Sequence, residues 1–226
     1  QSNAGWSLSA TDGAEAEIAV ANYPAFRLIR VPRYKLAAPS DDPIILENTL
    51  DWDTDTGALK DKAGTWFVCN PENAGYFGAA FYYATKEVHL ELGIPIGVIQ
   101  SAYAGTPMEA WANSPLPEAH PVGSDPADPQ HLYNGMVYPY LRLPITGACW
   151  YQGERNHDDG GHIVAEKLPI MIQDWRTGFG QGDFPYYYMQ IPPVFSWDSE
   201  AEADPMLPYF WEAQTMVQDI STNTYM

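Results

Sequence analysis

The chain has 226 residues, 46% of them hydrophobic, and its 29 acidic and 11 basic residues give a formal charge of −18. This length and composition allow a full core, which predicts one domain, or most of one, and excludes disordered and collagen-like proteins. The negative charge repels phosphate backbones and anionic membrane surfaces, and the longest apolar runs are far shorter than the roughly 20 residues of a membrane span. We therefore expect neither nucleic acid nor a membrane as a partner.

The first half of the chain contains a helix followed at once by a strand. Phe26 to Val31 is a candidate early strand. From Asn73 to Leu92 apolar residues recur at helical spacing, and the pattern stops at Gly93. The run Ile94 to Gln100 is almost continuously apolar, which predicts a parallel strand covered on both faces.

The second half repeats this pattern. Ile145 to Tyr151 reads as another buried strand, and its exit is Gln152-Gly153-Glu154. A helix with one apolar side follows, then a strand at Pro185 to Ile191 and a last helix at Leu207 to Ile220. The apolar side of the first of these helices consists of Ile163, Leu168, Ile172, Trp175 and Phe179. Two segments rich in Pro, Asp and Gly, Leu36 to Thr65 and Pro115 to Gln130, are predicted surface excursions.

Alternating strands and helices predict an α/β fold, a three-layer α/β/α sandwich with a central parallel sheet. In such folds the active site lies in the loops at the carboxyl ends of the strands. This rule selects three loops: the one that holds Ser2, if a strand precedes it, then Ala102 to Thr106, and Gln152 to Glu154.

The cysteines and histidines give no sign of a metal or cofactor. Cys69 and Cys149 allow at most one disulfide, and free thiols are the favoured alternative, with Cys149 buried in an apolar stretch. Neither cysteine has the spacing of a metal site, and the five histidines form no HExxH or similar motif. We expect no metal and no cofactor.

Ser2 is the candidate nucleophile. A serine hydrolase needs an exposed hydroxyl, a base that takes its proton, and donors aimed at the oxyanion that develops. Ser2 lies in Gln-Ser-Asn and is followed by Ala4 and Gly5, a small-residue context that suits a tight turn. The alternative is a disordered terminal serine without a catalytic role.

Several separate stretches of the chain match the motifs of one family. They are Gln1-Ser2-Asn3, Pro95 to Ile99 with Gly105-Thr106-Pro107-Met108-Glu109-Ala110-Trp111, Leu132 to Pro139 with Trp150-Tyr151-Gln152-Gly153-Glu154-Arg155-Asn156, and Asp174-Trp175-Arg176 with Phe184 to Gln190. Together they resemble the sialate O-acetylesterases, a branch of the SGNH hydrolases, whose nucleophile motif is Gly-Gln-Ser-Asn. The similarity continues to about Gln214.

The resemblance implies a role for each matching site residue. Ser2 is the nucleophile, and its backbone N–H is one oxyanion donor. Gly105 supplies a second backbone donor and the side-chain amide of Gln152 a third. Glu154 orients and stabilises the catalytic histidine. For Gln152 and Glu154, the alternative is a polar turn after a strand.

Asn3, Trp111 and Tyr151 are candidate substrate-binding residues. Aromatic rings stack on sugars, but buried aromatic residues serve the core more often, and this alternative applies to Trp111, Trp150 and Tyr151. Glu109 is interpreted as a structural carboxylate. Asp174 and Arg176 are two positions apart on a helix, so we expect each to make its own structural contacts.

The catalytic base is expected from outside this chain. In the family the catalytic histidine lies in a later segment, and none of the five histidines, His89, His120, His131, His157 and His162, stands at the matching place. His157 follows the Gln-Gly-Glu turn and is predicted to lie at the surface. We therefore expect residues 1–226 to be one SGNH-type esterase domain that is incomplete at both ends. It would lack the first strand and the histidine segment, and the remaining polypeptide or a companion chain would supply the histidine.

The resemblance implies a carbohydrate O-acetylesterase that works through a serine acetyl-enzyme. The substrate is O-acetylated sialic acid or an acetylated polysaccharide such as xylan, and the location is extracellular or periplasmic. Two alternatives stay open: a catalytically silent glycan-binding domain of the same fold, and a lipid or thioester hydrolase of the same superfamily.

Overall fold

The computed structural model describes residues 5–42, 64–117, 128–157, 159–160, 162–193 and 205–226. The chain divides into two units. Unit 1 consists of Gln1–Arg33 with Pro43–Ala104, and unit 2 of Tyr34–Asp42 with Gly105–Met226. Each unit has its own three-stranded sheet, so the chain has the mixed α/β composition that its sequence predicts.

The described residues of unit 1 form two helices and a mixed sheet. Its strands lie in the order β2-β1-β3, with β1 parallel to β3 and antiparallel to β2. The strand β2 is absent from the sequence-based prediction, and its antiparallel pairing makes this sheet mixed. The elements are α1 (Ala14–Val20), β1 (Tyr23–Arg30), β2 (Trp66–Cys69), α2 (Ala79–Leu92) and β3 (Ile96–Gln100), with short 3-10 helices at Leu8–Ala10 and Ala74–Tyr76.

Aromatic residues fill the core of unit 1. Phe26 on β1 meets Phe77 edge to face at 4.9 Å between ring centroids and stacks with Tyr82 of α2. All three side chains are buried. Cys69 lies in the same core, and burial raises the pKa of its thiol to about 12.

A lysine and a carboxylate join α1 to α2 at the margin of this core. The Lys86 Nζ lies 2.8 Å from Glu17 Oε1, and the Tyr82 hydroxyl donates to the same oxygen at 2.6 Å. The hydrogen bonds from Lys86 and Tyr82 hold the pKa of the Glu17 carboxyl below its usual value. Both charged side chains keep some solvent exposure, 13% for Lys86 and 20% for Glu17.

Unit 2 has a parallel sheet, and its strands lie in the order β4-β5-β6. None of the helices in the described part of the chain is long and apolar enough to cross a membrane. The elements are β4 (Ala148–Trp150), α3 (Val164–Phe179), β5 (Tyr186–Tyr188), α4 (Leu207–Ile220) and β6 (Thr224–Tyr225), with a 3-10 helix at Met108–Trp111, a π-helical turn at Tyr133–Val137 and a 3-10 turn at Tyr138–Tyr140.

The sheet of unit 2 has one buried face. Trp150, Tyr186 and Tyr188 point into the core, whereas their neighbours Cys149 and Tyr187 are exposed. The prediction that Ile145 to Tyr151 is a buried strand therefore holds for only one face of β4, and the predicted burial of Cys149 is wrong. In unit 1 the strand predicted to be covered on both faces, β3, is not, because Gly97 is exposed and only Gln100 is fully buried. Cys69 and Cys149 are both free thiols, as predicted.

Asp174 and Arg176 make separate contacts, which confirms the prediction. Asp174 accepts hydrogen bonds from the backbone N–H and the hydroxyl of Ser114, at 2.7 and 2.6 Å. Arg176 is buried and donates to the carbonyls of Phe184, Thr222 and Asn223. The arginine thereby connects α3 to the residues that precede β5 and β6.

Candidate active site

Gln152 lies two residues after the last residue of β4 and marks the start of the loop that the sequence singles out. The next residue, Gly153, has no room for a side chain, because a Cβ there would lie 2.6 Å from Ile191 Cγ2 and 2.8 Å from Phe210 Cε1. Glycine therefore lets the chain turn directly against α4. This close approach fixes where the loop after β4 leaves the sheet.

The side chain of Gln152 is buried and lies against the loop that contains Gly105. Its Nε2 donates to the Thr106 carbonyl at 3.2 Å and to Asn156 Oδ1 at 2.6 Å, so both amide hydrogens have acceptors. Its Oε1 is buried and has no hydrogen-bond partner among the residues that the structure describes. The structure thus brings Gln152 to the residue that follows Gly105.

Gly105 opens the second loop of the site. Its φ is +70°, in the left-handed region, where a side chain is strained. A Cβ at this position would meet no atom of the described residues within 4 Å. The positive φ therefore explains the glycine at position 105, whereas the lack of space for a Cβ explains Gly153.

Asn156 connects the two loops. Its Oδ1 accepts hydrogen bonds from Gln152 Nε2 and from the backbone N–H of Met108, the latter at 2.9 Å. Its Nδ2 donates to Glu109 Oε2 at 3.0 Å and to Asp159 Oδ2 at 2.7 Å. The side chain is fully buried and makes the four hydrogen bonds that a carboxamide can form.

Lys167 completes this polar cluster. Its Nζ lies 2.5 Å from Glu109 Oε1 and 2.7 Å from Asp159 Oδ2, and its side chain is 0% exposed. An ammonium group is buried to this degree only when carboxylates compensate its charge. The interpretation of Glu109 as a structural carboxylate is confirmed, since it pairs with Lys167 inside unit 2.

Sequence reasoning did not single out Asn156 as a linking residue, nor Lys167 or Asp159 at all. One signal was available for Lys167. It lies one position before Leu168 and three after Val164 on α3, within the buried face that continues at Met171. A lysine inside an apolar helical stripe predicts a buried partner of opposite charge.

The other predicted residues of unit 2 lie around these loops. Glu154 is half-buried, and its backbone carbonyl accepts a hydrogen bond from His157 Nδ1 at 2.7 Å. Tyr151 is half-buried as well. Trp111 is fully buried, donates from Nε1 to Thr106 Oγ1 at 2.9 Å and packs against Trp150. This packing is that of a core residue, the alternative given for Trp111 above.

Ser2 and Asn3 lie outside the described residues. The roles of Ser2 as nucleophile and of Asn3 in substrate binding therefore stay predictions. Within the described ranges, no group of three or more His, Cys, Asp or Glu residues has the arrangement of a metal site.

A family profile and individual protein sequences were compared with this chain, and both comparisons find the same family. The profile of the family "Carbohydrate esterase, sialic acid-specific acetylesterase" matches residues 31–220. Sialate O-acetylesterase from Homo sapiens is 30% identical over 164 residues, which cover 63% of this chain and 31% of that protein. Sialate O-acetylesterase from Mus musculus is 25% identical over 235 residues, with coverages of 84% and 41%.

Solved structures agree with this comparison. A carbohydrate acetylesterase from Xanthomonas citri superposes with a TM-score of 0.80 at 27% identity, over 100% of this chain and 47% of that chain. A protein from Arabidopsis thaliana superposes with a TM-score of 0.52 at 20% identity, over 92% of this chain and 69% of that one, and shows a likeness of fold. The chain spans about a third of the human protein and less than half of the Xanthomonas esterase.

Proposed function

Because the chain belongs to the family of sialic acid-specific acetylesterases among the carbohydrate esterases, we propose that it forms part of a serine esterase that removes acetyl groups from sugars. Its substrate is O-acetylated sialic acid or an acetylated polysaccharide such as xylan. The reaction uses protein groups and water, without a cofactor.

One observation supports this proposal: the side-chain amide of Gln152 contacts the residue that follows Gly105, although the two loops are far apart in the sequence. Gln152 Nε2 is 3.2 Å from the carbonyl of Thr106, the residue next to Gly105. Oxyanion donors must converge on one oxygen atom, so this proximity is what the proposed chemistry requires.

In the proposed mechanism Ser2 Oγ attacks the acetyl carbonyl carbon while a histidine takes the hydroxyl proton. The carbonyl π electrons move to the oxygen, and this oxyanion is stabilised by the backbone N–H groups of Ser2 and Gly105 and by Gln152 Nε2. Collapse of the intermediate breaks the bond to the sugar oxygen, which takes the proton from the histidine. Water then attacks the acetyl-enzyme in the same way and releases acetate.

Gln152 has to exchange one hydrogen bond to take part in this step. Both hydrogens on its Nε2 are engaged, at 2.6 Å with Asn156 Oδ1 and at 3.2 Å with the Thr106 carbonyl. The longer bond is the weaker one, so it is the one that the oxyanion replaces. A charged acceptor forms a stronger hydrogen bond than a neutral carbonyl, which favours the exchange in the transition state.

Glu154 is proposed to orient the histidine and to stabilise its charged form, as the acid does in a serine hydrolase triad. The histidine itself is supplied by polypeptide outside residues 1–226. Tyr151, half-buried beside Gln152, is proposed to contact the sugar, and the protein is proposed to act outside the cell or in the periplasm.

We also propose the finer description of the fold, a three-layer α/β/α sandwich with a central parallel sheet. The parallel pairs β1 with β3, β4 with β5 and β5 with β6 support it. A crystal structure of the complete protein tests this description through the pairing of its strands.

The function is tested with the complete protein, with Ser2→Ala and with Ser9→Ala, a control at an exposed serine. The assay measures acetate release from 4-nitrophenyl acetate, acetylated sialic acid and acetylated xylan. We expect Ser2→Ala to lose nearly all turnover and Ser9→Ala to keep it. Equal rates in wild type and Ser2→Ala would contradict the proposal and favour the glycan-binding alternative, whereas faster turnover with longer acyl chains would favour a lipid esterase.

A further inference from the structure

The Gln152 carboxamide has an orientation in which its oxygen meets no hydrogen-bond donor of the described residues. Its Oε1 is buried and unpaired among the described residues, while its Nε2 serves two acceptors. A buried polar atom without a hydrogen bond is unfavourable, so the rest of the structure must impose this orientation.

Asn156 explains the orientation. Its Oδ1 also accepts from the backbone N–H of Met108, which can only donate, so the oxygen of Asn156 is the atom that faces Gln152. The other neighbour of the Gln152 amide, the Thr106 carbonyl, is likewise an acceptor. Rotating the Gln152 amide by half a turn would place its oxygen against two acceptors, and that arrangement is repulsive.

Asn156 is itself fixed by the buried charges. Its Nδ2 donates to Glu109 and Asp159, and both carboxylates contact Lys167 Nζ. The two carboxylates face the amide hydrogens of Asn156, so the Asn156 side chain also has one favourable orientation. The charges thus determine the orientation of Asn156, and Asn156 determines that of Gln152.

We infer that Asn156 is a positioning residue for the oxyanion hole, and that the Glu109–Lys167–Asp159 cluster holds Asn156 in place. A single atom, Asn156 Oδ1, bonds to Gln152 and to the backbone at Met108, three residues after Gly105. It therefore sets the distance between the two loops that carry the predicted donors. This inference rests on the proposed function.

The test is a double-mutant cycle on kcat for 4-nitrophenyl acetate, with wild type, Gln152→Ala, Asn156→Ala and the double variant of the complete protein. We expect each single variant to lower kcat by about 100-fold, a loss typical of one oxyanion donor, with a much smaller change in KM. If Asn156 acts through Gln152, the double variant loses little beyond Gln152→Ala.

A purely structural role of Asn156 gives a different outcome. The losses would then multiply in the double variant, and that result would overturn the inference while leaving the proposed function intact. A Gln152→Ala variant with wild-type kcat would overturn the oxyanion role of Gln152 and this inference together. Gln214→Ala, which removes another buried glutamine of unit 2, is the matched control and is expected to keep the wild-type kcat.

A second measurement avoids substitutions that impair folding. Wild-type complete protein is treated with a 4-nitrophenyl alkylphosphonate, which leaves a phosphonyl group on the nucleophile, and the adduct is crystallised. We expect Gln152 Nε2 to turn from the Thr106 carbonyl to the phosphonyl oxygen and to keep its hydrogen bond to Asn156 Oδ1. An adduct in which the bond to Asn156 is broken would overturn the inference.

Discussion

Each unit contains a lysine that binds a carboxylate, but the two pairs lie in different surroundings. In unit 1 the pair of Lys86 and Glu17 lies at the margin of an aromatic core and is partly exposed. In unit 2 Lys167 and Glu109 are 0% and 1% exposed, and Glu109 also accepts a hydrogen bond from Asn156. In unit 1 the pair thus connects α1 to α2, whereas in unit 2 the pair is part of the buried polar cluster of the candidate site.

The two ion pairs differ in what they contribute to the folded structure. A partly exposed pair is screened by solvent, tolerates small displacements and adds little stability. A buried pair loses its hydration, so it requires accurate geometry and additional hydrogen bonds. The buried cluster therefore serves to hold neighbouring groups in defined orientations, whereas apolar and aromatic packing provides most of the stability.

The largest effect is expected for Lys167→Met. This substitution keeps most of the apolar stem but removes the ammonium group that binds the buried carboxylates of Glu109 and Asp159. We expect the free energy of unfolding to fall by about 3–5 kcal/mol, measured by urea denaturation. The matched control is Lys86→Met in unit 1, and similar losses in the two variants would contradict the contrast between the pairs.

A smaller effect is expected for Gly153→Ala. The added Cβ would overlap Ile191 and Phe210, which costs about 1–3 kcal/mol of stability as an overpacking substitution. Because Gln152 is the preceding residue, we also expect kcat to fall by about 100-fold from a displacement near 1 Å. The comparison is Gly93→Ala in unit 1, where a Cβ meets no described atom within 4 Å and kcat should not change.

The smallest effect concerns the pair in unit 1 and its dependence on pH. Lys86→Met should cost about 0.2–1 kcal/mol at neutral pH, as exposed pairs do. The pKa of Glu17 is lowered in the folded state, so the pair stabilises the protein above the unfolded value of 4.5, and this contribution is lost as the pH falls through the lower folded value. Thermal denaturation of both proteins should show their difference shrinking below pH 4.5; a difference that grows on acidification would be inconsistent with this assignment.

The long elements were predictable because their hydrophobic pattern is strong. The last helix was predicted at Leu207 to Ile220 and has these bounds, and α3 follows the predicted apolar stripe. The elements that were missed carry a weak pattern. The helix α1 has one buried residue, Ala14, the strand β2 has four residues with Trp66 exposed, and β6 has two. Tertiary contacts determine such short elements.

The candidate site was partly predictable for a similar reason. The rule that active sites lie in the loops after parallel strands led to the loops of Gly105 and Gln152. The structure brings Thr106 to Gln152, although β3 and β4 belong to different sheets. The link through Asn156 was not predicted, because it joins this residue to Met108 and Glu109, which lie 48 and 47 positions away in the sequence. Local sequence does not show which residues from distant parts of the chain will be in contact.

The two free thiols provide an intrinsic pair of reporters, one in each unit. Cys149 of unit 2 is exposed in the folded chain, whereas Cys69 is sealed in the aromatic core of unit 1. An alkylating reagent needs access to the sulfur, so modification of Cys69 requires opening of that core. Pulsed alkylation followed by mass spectrometry can thus measure the rate at which unit 1 opens, without a label introduced by mutation.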